Sequence, residues 1–269
     1  PTRRSSDLSA LAVETVWNSP GAAPYLKSLA SMRSESFKAF RGHMESWGVP
    51  AANLVYADTS GDIGWTAAGF SPVRPNWDGL LPTPGDGRFE WAGYYPGDKL
   101  PDILNPAAGH FATANELNLP AGWDQSTDQI GYEWMEPSRA NRIAEVLDSD
   151  APHGLADSEA LQCDILSIPA RRLMALLSGL DAVPAEAQKL FDGWDCKLTT
   201  DSGAAALFEV WWSRHLRPGL FAAVTDDPEI RAWLVPGDPA GVLAYLEAPD
   251  GKLGQTPEQA RDDLLVTTL

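Results

Sequence analysis

The clearest pattern in the chain is a pair of apolar runs separated by a short polar turn within residues 53–70. The turn between the two runs consists of Asp58, Thr59, Ser60, Gly61 and Asp62. Apolar runs on either side of a cluster of Asp, Ser and Gly are typical of two antiparallel strands joined by a tight connection. We therefore predict a β-hairpin over residues 53–70.

The segment that follows predicts a long loop and one further strand. Residues 71–109 are rich in Gly, Pro and Asp and are too long for a plain connection, so we expect an ordered functional loop. Residues 110–115 form a short apolar run that ends on the side-chain amide of Asn115, and we predict a strand there. A second loop is expected over residues 116–136.

Helical spacing of apolar residues accounts for much of the remaining chain. The run at residues 11–17 could form a strand. Residues 24–47 have helical spacing, with these apolar residues on roughly one side: Tyr25, Leu26, Leu29, Phe37, Phe40 and Met44.

Three helices are predicted in the C-terminal half. The first begins at Ser138, the second begins near Ser158 and is kinked or broken by Pro169, and the third covers about residues 203–216. Strands followed by helices predict the α+β class in one domain.

The charge of the chain excludes some classes of partner. It has 269 residues, 44% of them hydrophobic, and a formal net charge of -17. Such an acidic chain is not expected to bind nucleic acid or an anionic membrane surface. No apolar run approaches the length of a membrane span, and the start has no signal-peptide pattern, so an export signal would lie upstream.

Cysteine and histidine give no support for a metal site or a Ser-His triad. Cys163 and Cys196 lie far apart without metal-ligand spacing, so we expect buried free thiols. The four histidines are scattered, and the G-x-S-x-G motif of α/β-hydrolases is absent from the sequence.

Eleven tryptophans leave a carbohydrate-binding module open as an alternative. Trp211 and Trp212 lie on an apolar helical stretch, which favours a place in the core. Trp77, Trp91 and Trp123 lie in loop-like sequence, where exposed indoles could stack on sugars.

Several short motifs occur in an order and spacing that are specific together. They are Leu81-Pro-Thr-Pro-Gly-Asp-Gly87, His110-Phe-Ala-Thr-Ala-Asn115, Tyr132-Glu-Trp134, Arg139, Leu161-Gln-Cys-Asp164, Trp194-Asp195 and residues 201–209. This series resembles the β-subunit of the penicillin acylase family of N-terminal-nucleophile amidohydrolases, which includes cephalosporin and acyl-homoserine-lactone acylases.

The resemblance implies part of an αββα sandwich with a helical elaboration. It implies cleavage of the amide bond of an N-acylated substrate, of β-lactam or acyl-homoserine-lactone type, through an acyl-enzyme on an N-terminal serine. Pro1 has neither hydroxyl nor thiol, so we expect residues 8–269 to be an incomplete β-subunit domain that is inactive alone, and residues 1–7 a non-native or linker remnant.

The same resemblance implies the partners of the chain. They are the missing N-terminal part of the β-subunit, the α-subunit and a small amide substrate. The family further implies self-processing and a periplasmic or secreted location.

Two residues of the chain match catalytic positions of the family. Asn115 matches the asparagine whose side-chain NH2 stabilises the tetrahedral oxyanion, a task for a neutral and rigid donor. Arg139 matches an arginine that organises the catalytic centre, although a helix-start arginine in a surface salt bridge is an equal alternative. Many relatives have a second asparagine where this chain has Glu116. Arg142, one turn further, is expected on a solvated helix face.

Three further positions are implied by resemblance alone. Ala52 matches a residue that lines the acyl pocket, and a small residue there would widen it. Asp128 and Gly79 fall near ligands of a structural calcium ion that some relatives bind, but calcium needs six to eight oxygens, and the other ligands would lie upstream. Asp128 could equally be a solvated loop acid. No other cofactor is expected.

Overall fold

The computed structural model describes residues 10–21, 28–149, 151–235 and 237–269. The chain divides into two compact units. The first unit comprises Pro1–Thr113 and Leu117–Trp134, and the second comprises Ala114–Glu116 and Met135–Leu269.

The first unit is built on a three-stranded antiparallel sheet in the order β1-β2-β3, with β1 at Ala52–Ala57, β2 at Ile63–Ala68 and β3 at Asp102–Leu104. The predicted hairpin is confirmed, with Ala52 opposite Ala68 and Ala57 opposite Ile63. The β3 strand lies inside the region for which only a loop was predicted.

Both faces of β2 are covered, because successive strand residues face opposite sides of a sheet. On one side Gly64 lies against Phe37, and a Cβ at residue 64 would be 2.7 Å from the Phe37 ring. On the other side Trp65, 1% exposed, stacks on Phe111 with ring centroids 5.3 Å apart.

Within the described residues, the helix predicted over residues 24–47 is interrupted. A 3-10 turn lies at Val16–Asn18, where a strand was considered, and α1 at Ser28–Ser31 precedes α2 at Phe37–Met44. The break before α2 has a local cause, because Ser36 is extended and its hydroxyl accepts the Ala39 amide, which caps the new helix. The predicted inward residues Tyr25 and Leu26 lie outside the described residues.

Residues 71–109 are ordered around the β3 strand and a 3-10 turn at Gly97–Lys99. Arg41 of α2 holds this part in place. Its Nη2 atom donates to the carbonyl oxygens of Asp98 and Leu100 at 2.9 and 3.0 Å and pairs with Asp102 at 3.1 Å.

The prediction of a strand at residues 110–115 is wrong. The segment is irregular, and Asn115 at its end has a φ of +68°, which is the left-handed region and not that of a strand. The apolar side chain of Phe111 packs on Trp65 without ladder pairing, so its hydrophobicity reflects side-chain burial alone.

The second unit is helical. Its helices are α3 at Ser138–Leu147, α4 at Leu155–Gln162, α5 at Ile168–Leu177, α6 at Ala185–Phe191, α7 at Gly203–Val210, α8 at Arg217–Val224, α9 at Pro228–Leu234, α10 at Pro239–Glu247 and α11 at Pro257–Thr268. A π-helical turn at Trp211–Leu216 joins α7 to α8, and a 3-10 turn lies at Gly251–Leu253.

The three predicted helices are present with changed boundaries. The α4 helix begins after Gly154 and not at Ser158, because the Asp157 carboxylate accepts the Gly154 amide at 2.7 Å. Pro169 does not kink a long helix but lies in the first turn of α5. Backbone N–H groups in the first turn form no hydrogen bond within the helix, so the lack of an N–H in proline has no cost there.

The core of the second unit contains side chains of α5, α7, α8, α10 and α11. Trp211, Leu216, Leu243, Leu246 and Leu265 are at most 1% exposed, which confirms a core position for Trp211. Cys196 is buried as predicted, and burial raises the pKa of its thiol. Cys163 is exposed, which contradicts the prediction, because it ends α4 at the surface. Among the described residues, every helix lacks the length and apolar character that a membrane span requires.

Candidate active site

Asn115 lies in a short segment whose backbone is fixed on both sides. The amide of Met135 donates to the Asn115 carbonyl oxygen at 2.8 Å, and the Glu116 carboxylate accepts the amide of Ala114 at 2.6 Å. Asn115 adopts the left-handed conformation, which asparagine tolerates better than most residues. Glu116, which stands where many relatives have a second asparagine, therefore helps to fix the backbone of this turn.

Arg139 fixes the side chain of Asn115. It lies in the first turn of α3, and its Nη2 atom donates to the Ala114 carbonyl oxygen at 2.7 Å and to Oδ1 of Asn115 at 2.8 Å. A guanidinium group can only donate hydrogen bonds, so the Oδ1 atom of the Asn115 amide must face it. The Nδ2 atom of the same amide therefore points away from Arg139.

The Nδ2 atom of Asn115 is available to a ligand. Asn115 is exposed, and within the described part of the chain no hydrogen bond from Nδ2 is present. The arrangement therefore presents the neutral Nδ2–H donor of an amide whose Oδ1 atom is held by Arg139. A neutral donor held in this way is the kind of group that stabilises an oxyanion.

The α3 helix is itself tied down by charged pairs. Arg142 donates to Asp164 Oδ2 from Nε at 2.8 Å and from Nη2 at 2.6 Å, and its Nη1 contacts Glu145 at 3.1 Å. The expectation that Arg142 lies on a solvated face is wrong, because its side chain is only 25% exposed and faces the chain after α4. The Leu166 amide and the Arg142 guanidinium lower the pKa of Asp164.

Asp164 and Glu145 are site-supporting residues that the sequence reasoning did not single out. Asp164 is the last residue of the Leu161-Gln-Cys-Asp164 motif, one of the motifs on which the family resemblance rests. The sequence assigned no function to the residues of this motif, but the motif itself was the sequence feature that could have pointed to Asp164. Its partner Arg142 was visible in the sequence, but the pairing joins residues 22 positions apart.

Ala52, the predicted pocket residue, begins β1 in the first unit. It is half-buried and lies on the same face of the strand as Leu54 and Tyr56. Its role as a pocket residue stays a prediction.

Asp128 and Gly79, the predicted calcium positions, lie on neighbouring loops of the first unit. Gln129 Nε2 donates to the carbonyl oxygen of Asp78 at 3.0 Å, which joins the two loops. The Asp128 side chain is exposed, and the described residues include no group of three or more acidic, His or Cys side chains that could hold a metal ion. These donors alone do not fit a calcium site, so calcium stays a prediction.

The loop tryptophans do not form free stacking surfaces. Trp77 and Trp91 are half-buried around Arg74, whose Cζ atom lies 5.9 and 5.8 Å from the two ring centroids. Trp123 is half-buried as well and donates from Nε1 to the Asp128 carbonyl oxygen at 3.0 Å. All three therefore have structural partners within the first unit.

Comparison with known proteins gives consistent results. The family model described as penicillin amidase matches residues 2–269. An acyl-homoserine lactone acylase, QuiP, of Pseudomonas fluorescens is 31% identical over 79% of this chain and 28% of its own length. A penicillin acylase 2 proenzyme of a Pseudomonas species is 32% identical over 68% of this chain and 23% of its own length.

A solved structure has a similar fold. The thermostable penicillin G acylase of Alcaligenes faecalis superimposes with a TM-score of 0.70 at 20% identity, over 94% of this chain and 52% of that chain. The chain thus spans about a quarter of the length of the two curated relatives and half of the structural one. With the family model matched along nearly its whole length, the chain belongs to the penicillin amidase family.

Proposed function

We propose that this chain is part of an amidohydrolase that cleaves the amide bond of an N-acylated substrate of β-lactam or acyl-homoserine-lactone type. Membership of the penicillin amidase family supports amide hydrolysis, and relatives named as acyl-homoserine lactone and penicillin acylases support the two substrate types. The single observation that carries the assignment is the hydrogen bond from Arg139 to Oδ1 of Asn115, which leaves the Nδ2 donor outward.

Asn115 is the proposed oxyanion donor. When a nucleophile attacks the substrate carbonyl carbon, the carbonyl oxygen gains negative charge and becomes a stronger acceptor for the Nδ2–H group. The bond between the guanidinium and Oδ1 polarises the same amide, and hydrogen bonds in such a chain strengthen one another. Arg139 therefore both aims the donor and increases its strength.

The nucleophile in this proposal is an N-terminal serine supplied by polypeptide outside this chain. Its α-amino group, with an ordinary pKa of about 8, takes the hydroxyl proton and later gives it to the leaving amine. The resulting ester is hydrolysed by water, so the net reaction converts an amide and water into a carboxylic acid and an amine. On this basis the 269-residue chain alone is inactive.

The remaining parts of the proposal follow from family membership. The small antiparallel sheet of the first unit is part of an αββα sandwich, completed by the rest of the β-subunit and by an α-subunit. A relative described as a proenzyme supports production from a longer precursor, and self-processing of that precursor is part of the proposal. A periplasmic or secreted location and a structural calcium ion with additional ligands belong to the same proposal.

The test is the Asn115→Ala variant in the complete, processed enzyme that contains this chain. With penicillin G, glutaryl-cephalosporanate and a long-chain acyl-homoserine lactone as substrates, we expect kcat to fall about 10²–10³-fold with little change in KM, as for the loss of one oxyanion donor. Processing is checked by gel, because the same donor could serve self-cleavage.

Asn105→Ala is the matched control. Asn105 is also an asparagine with positive φ, and its side chain bonds the turn residues Asp62 and Ile63 within the first unit. We expect this variant to lose stability while kcat per folded molecule is retained. A processed, folded Asn115→Ala enzyme with normal kcat would remove Asn115 from the mechanism, and absence of hydrolysis of all three amides by the complete enzyme would refute the function.

A further inference from the structure

The α3 helix depends on polar contacts for its orientation. None of its residues is fully buried, although it carries Arg139 in its first turn. Its apolar residues Ile143, Val146 and Leu147 are only half-buried, so apolar packing holds this helix less firmly than it holds a core helix. Its polar contacts therefore contribute strongly to the direction of Arg139.

The strongest of these contacts is the pair between Arg142 and Asp164. Two nitrogen atoms of Arg142 bind one carboxylate oxygen of Asp164, at 2.8 and 2.6 Å, and the Leu166 amide binds the other oxygen at 2.8 Å. The Asp164 side chain is 17% exposed. A partly desolvated pair of this kind is stronger and more specific in direction than an exposed ion pair.

A second contact is weaker. Glu145 of α3 accepts from Arg171 of α5 at 2.8 and 3.1 Å, but these side chains are 40% and 47% exposed. Solvent screens such pairs strongly. Glu136 also binds α3, but locally, by accepting from the amide and hydroxyl of Ser138 at 3.0 and 2.6 Å. Of the carboxylates that join α3 to a distant part of the chain, Asp164 therefore makes the strongest contact.

Arg142 and Arg139 are neighbours on the helix surface because they are three residues apart. Arg142 binds the fixed carboxylate of Asp164, while Arg139 binds Ala114 and Asn115. A rotation of α3 that breaks the first contact also moves the second. Asp164 is therefore connected to the Asn115 amide through Arg142, the α3 helix and Arg139.

We propose that Asp164 is a positioning residue for the oxyanion donor, acting through Arg142 and α3 on Arg139 and thus on the Asn115 amide. This inference rests on the proposed function of Asn115. Displacement of a catalytic group by about 1 Å can cost on the order of 10²-fold in rate. A partial displacement through a helix should cost less.

The first test is Asp164→Asn in the complete, processed enzyme. This change removes the charge and retains the shape of the side chain. We expect kcat to fall about tenfold with KM unchanged within about twofold, because substrate binding does not need the oxyanion donor. Asp164→Glu keeps the charge and should recover part of kcat. Should Asp164→Asn not fold, Arg142→Lys, which keeps the charge but loses the two-nitrogen contact, takes its place with the same expected fall.

Glu247→Gln is the matched control. The pair of Arg172 and Glu247 joins α5 to α10 in the same unit through two contacts of 2.6 Å, and within the described residues neither side chain forms a hydrogen bond or ion pair with a residue of α3. We expect a lower melting temperature without a fall in kcat. An equal fall of kcat in Glu247→Gln and Asp164→Asn would show a general loss of stability and overturn the proposal.

The decisive test is the double variant Arg139→Gln with Asp164→Asn. If Asp164 acts through Arg139, Asp164→Asn causes no further fall of kcat in the Arg139→Gln background, whereas independent effects would multiply. Multiplication overturns the positioning role. Normal kcat in Asn115→Ala removes the oxyanion role of Asn115 on which this inference rests, and absence of hydrolysis of all three amides by the complete enzyme refutes the function itself. Low kcat in Asn115→Ala with normal kcat in Asp164→Asn refutes only the role of Asp164.

Discussion

At the scale of single residues, the conformation and contacts of Asn115 define the candidate site. Four neighbours fix its position: Ala114, Glu116, Met135 and Arg139 supply or accept the hydrogen bonds around it. The positive φ of Asn115 has an energetic cost, which is smaller for asparagine than for most other L-residues. A strained, well-anchored residue with a free donor is the arrangement expected of a group that acts on a ligand.

Because of this conformation, two substitutions of Asn115 can distinguish its effect on stability from its effect on catalysis. We expect Asn115→Ala to lower the free energy of unfolding by about 1 kcal/mol relative to Asn115→Gly, because glycine adopts the left-handed region without a Cβ penalty. Both variants lack the Nδ2 donor, so both should have the same low kcat. Urea unfolding of the chain measures the first difference and steady-state kinetics of the complete enzyme the second. A higher kcat in Asn115→Gly than in Asn115→Ala would mean that backbone strain, and not the donor, controls the rate.

At the scale of elements, the carboxylate of Asp58 organises the turn of the β1–β2 hairpin by accepting four hydrogen bonds. Asp58 accepts hydrogen bonds from the amides of Ser60 and Asp62 and from the hydroxyls of Ser60 and Tyr56, over 2.7 to 3.1 Å. The bonds from Ser60 and then Tyr56 lower the pKa of Asp58 to about 2. The Asp58 carboxylate raises the pKa of Tyr56 to about 12.

The hairpin should therefore lose stability in acid. The folded-state pKa of Asp58 lies below its ordinary value of 3.8, so its contribution is complete above about pH 4 and is lost as the pH falls toward about 2. We expect the urea midpoint of the chain to fall over this range and to fall less in Asp58→Asn. Tyr56→Phe, which removes one of the four donors, should give an intermediate slope. Equal slopes in the native chain and Asp58→Asn would show that the carboxylate does not stabilise the turn.

At the scale of the whole molecule, the described part of the chain has exposed apolar side chains and an unpaired sheet edge. In the first unit Leu11, Val13 and Met32 are 80 to 85% exposed, and in the second unit Trp233 is 76% exposed. Among the described residues β1 pairs with β2 alone, so its other edge has unpaired backbone groups. Exposed apolar side chains and open sheet edges mark surfaces that bind further polypeptide.

The isolated chain should therefore bind an apolar fluorescent dye. We expect the dye signal per molecule to be several-fold lower in the complete enzyme, in which the proposed additional strands and the α-subunit cover these surfaces. A dye titration at equal molar concentration of both proteins measures this. A monomeric isolated chain that melts cooperatively and binds no dye would contradict the proposed incompleteness.

The sequence alone determined the elements that depend on neighbouring residues. The hairpin followed from its turn chemistry, because Asp58, Ser60 and Asp62 form their hydrogen bonds within five residues. The helix start at Ser138 and the burial of Trp211 followed from local spacing of apolar positions. The series of short motifs also indicated the family, which the matched family model confirms.

Tertiary structure alone decided the features that depend on distant residues. Residues 110–115 are apolar because Phe111 packs on Trp65, and apolar spacing cannot distinguish such packing from strand pairing. Arg142 was assigned to solvent because its partner Asp164 is 22 residues away. The direction of the Asn115 amide was likewise undetermined by sequence, because it is set by a guanidinium 24 residues further along the chain. A hydrogen bond over such a separation forms only when the fold brings the two groups together.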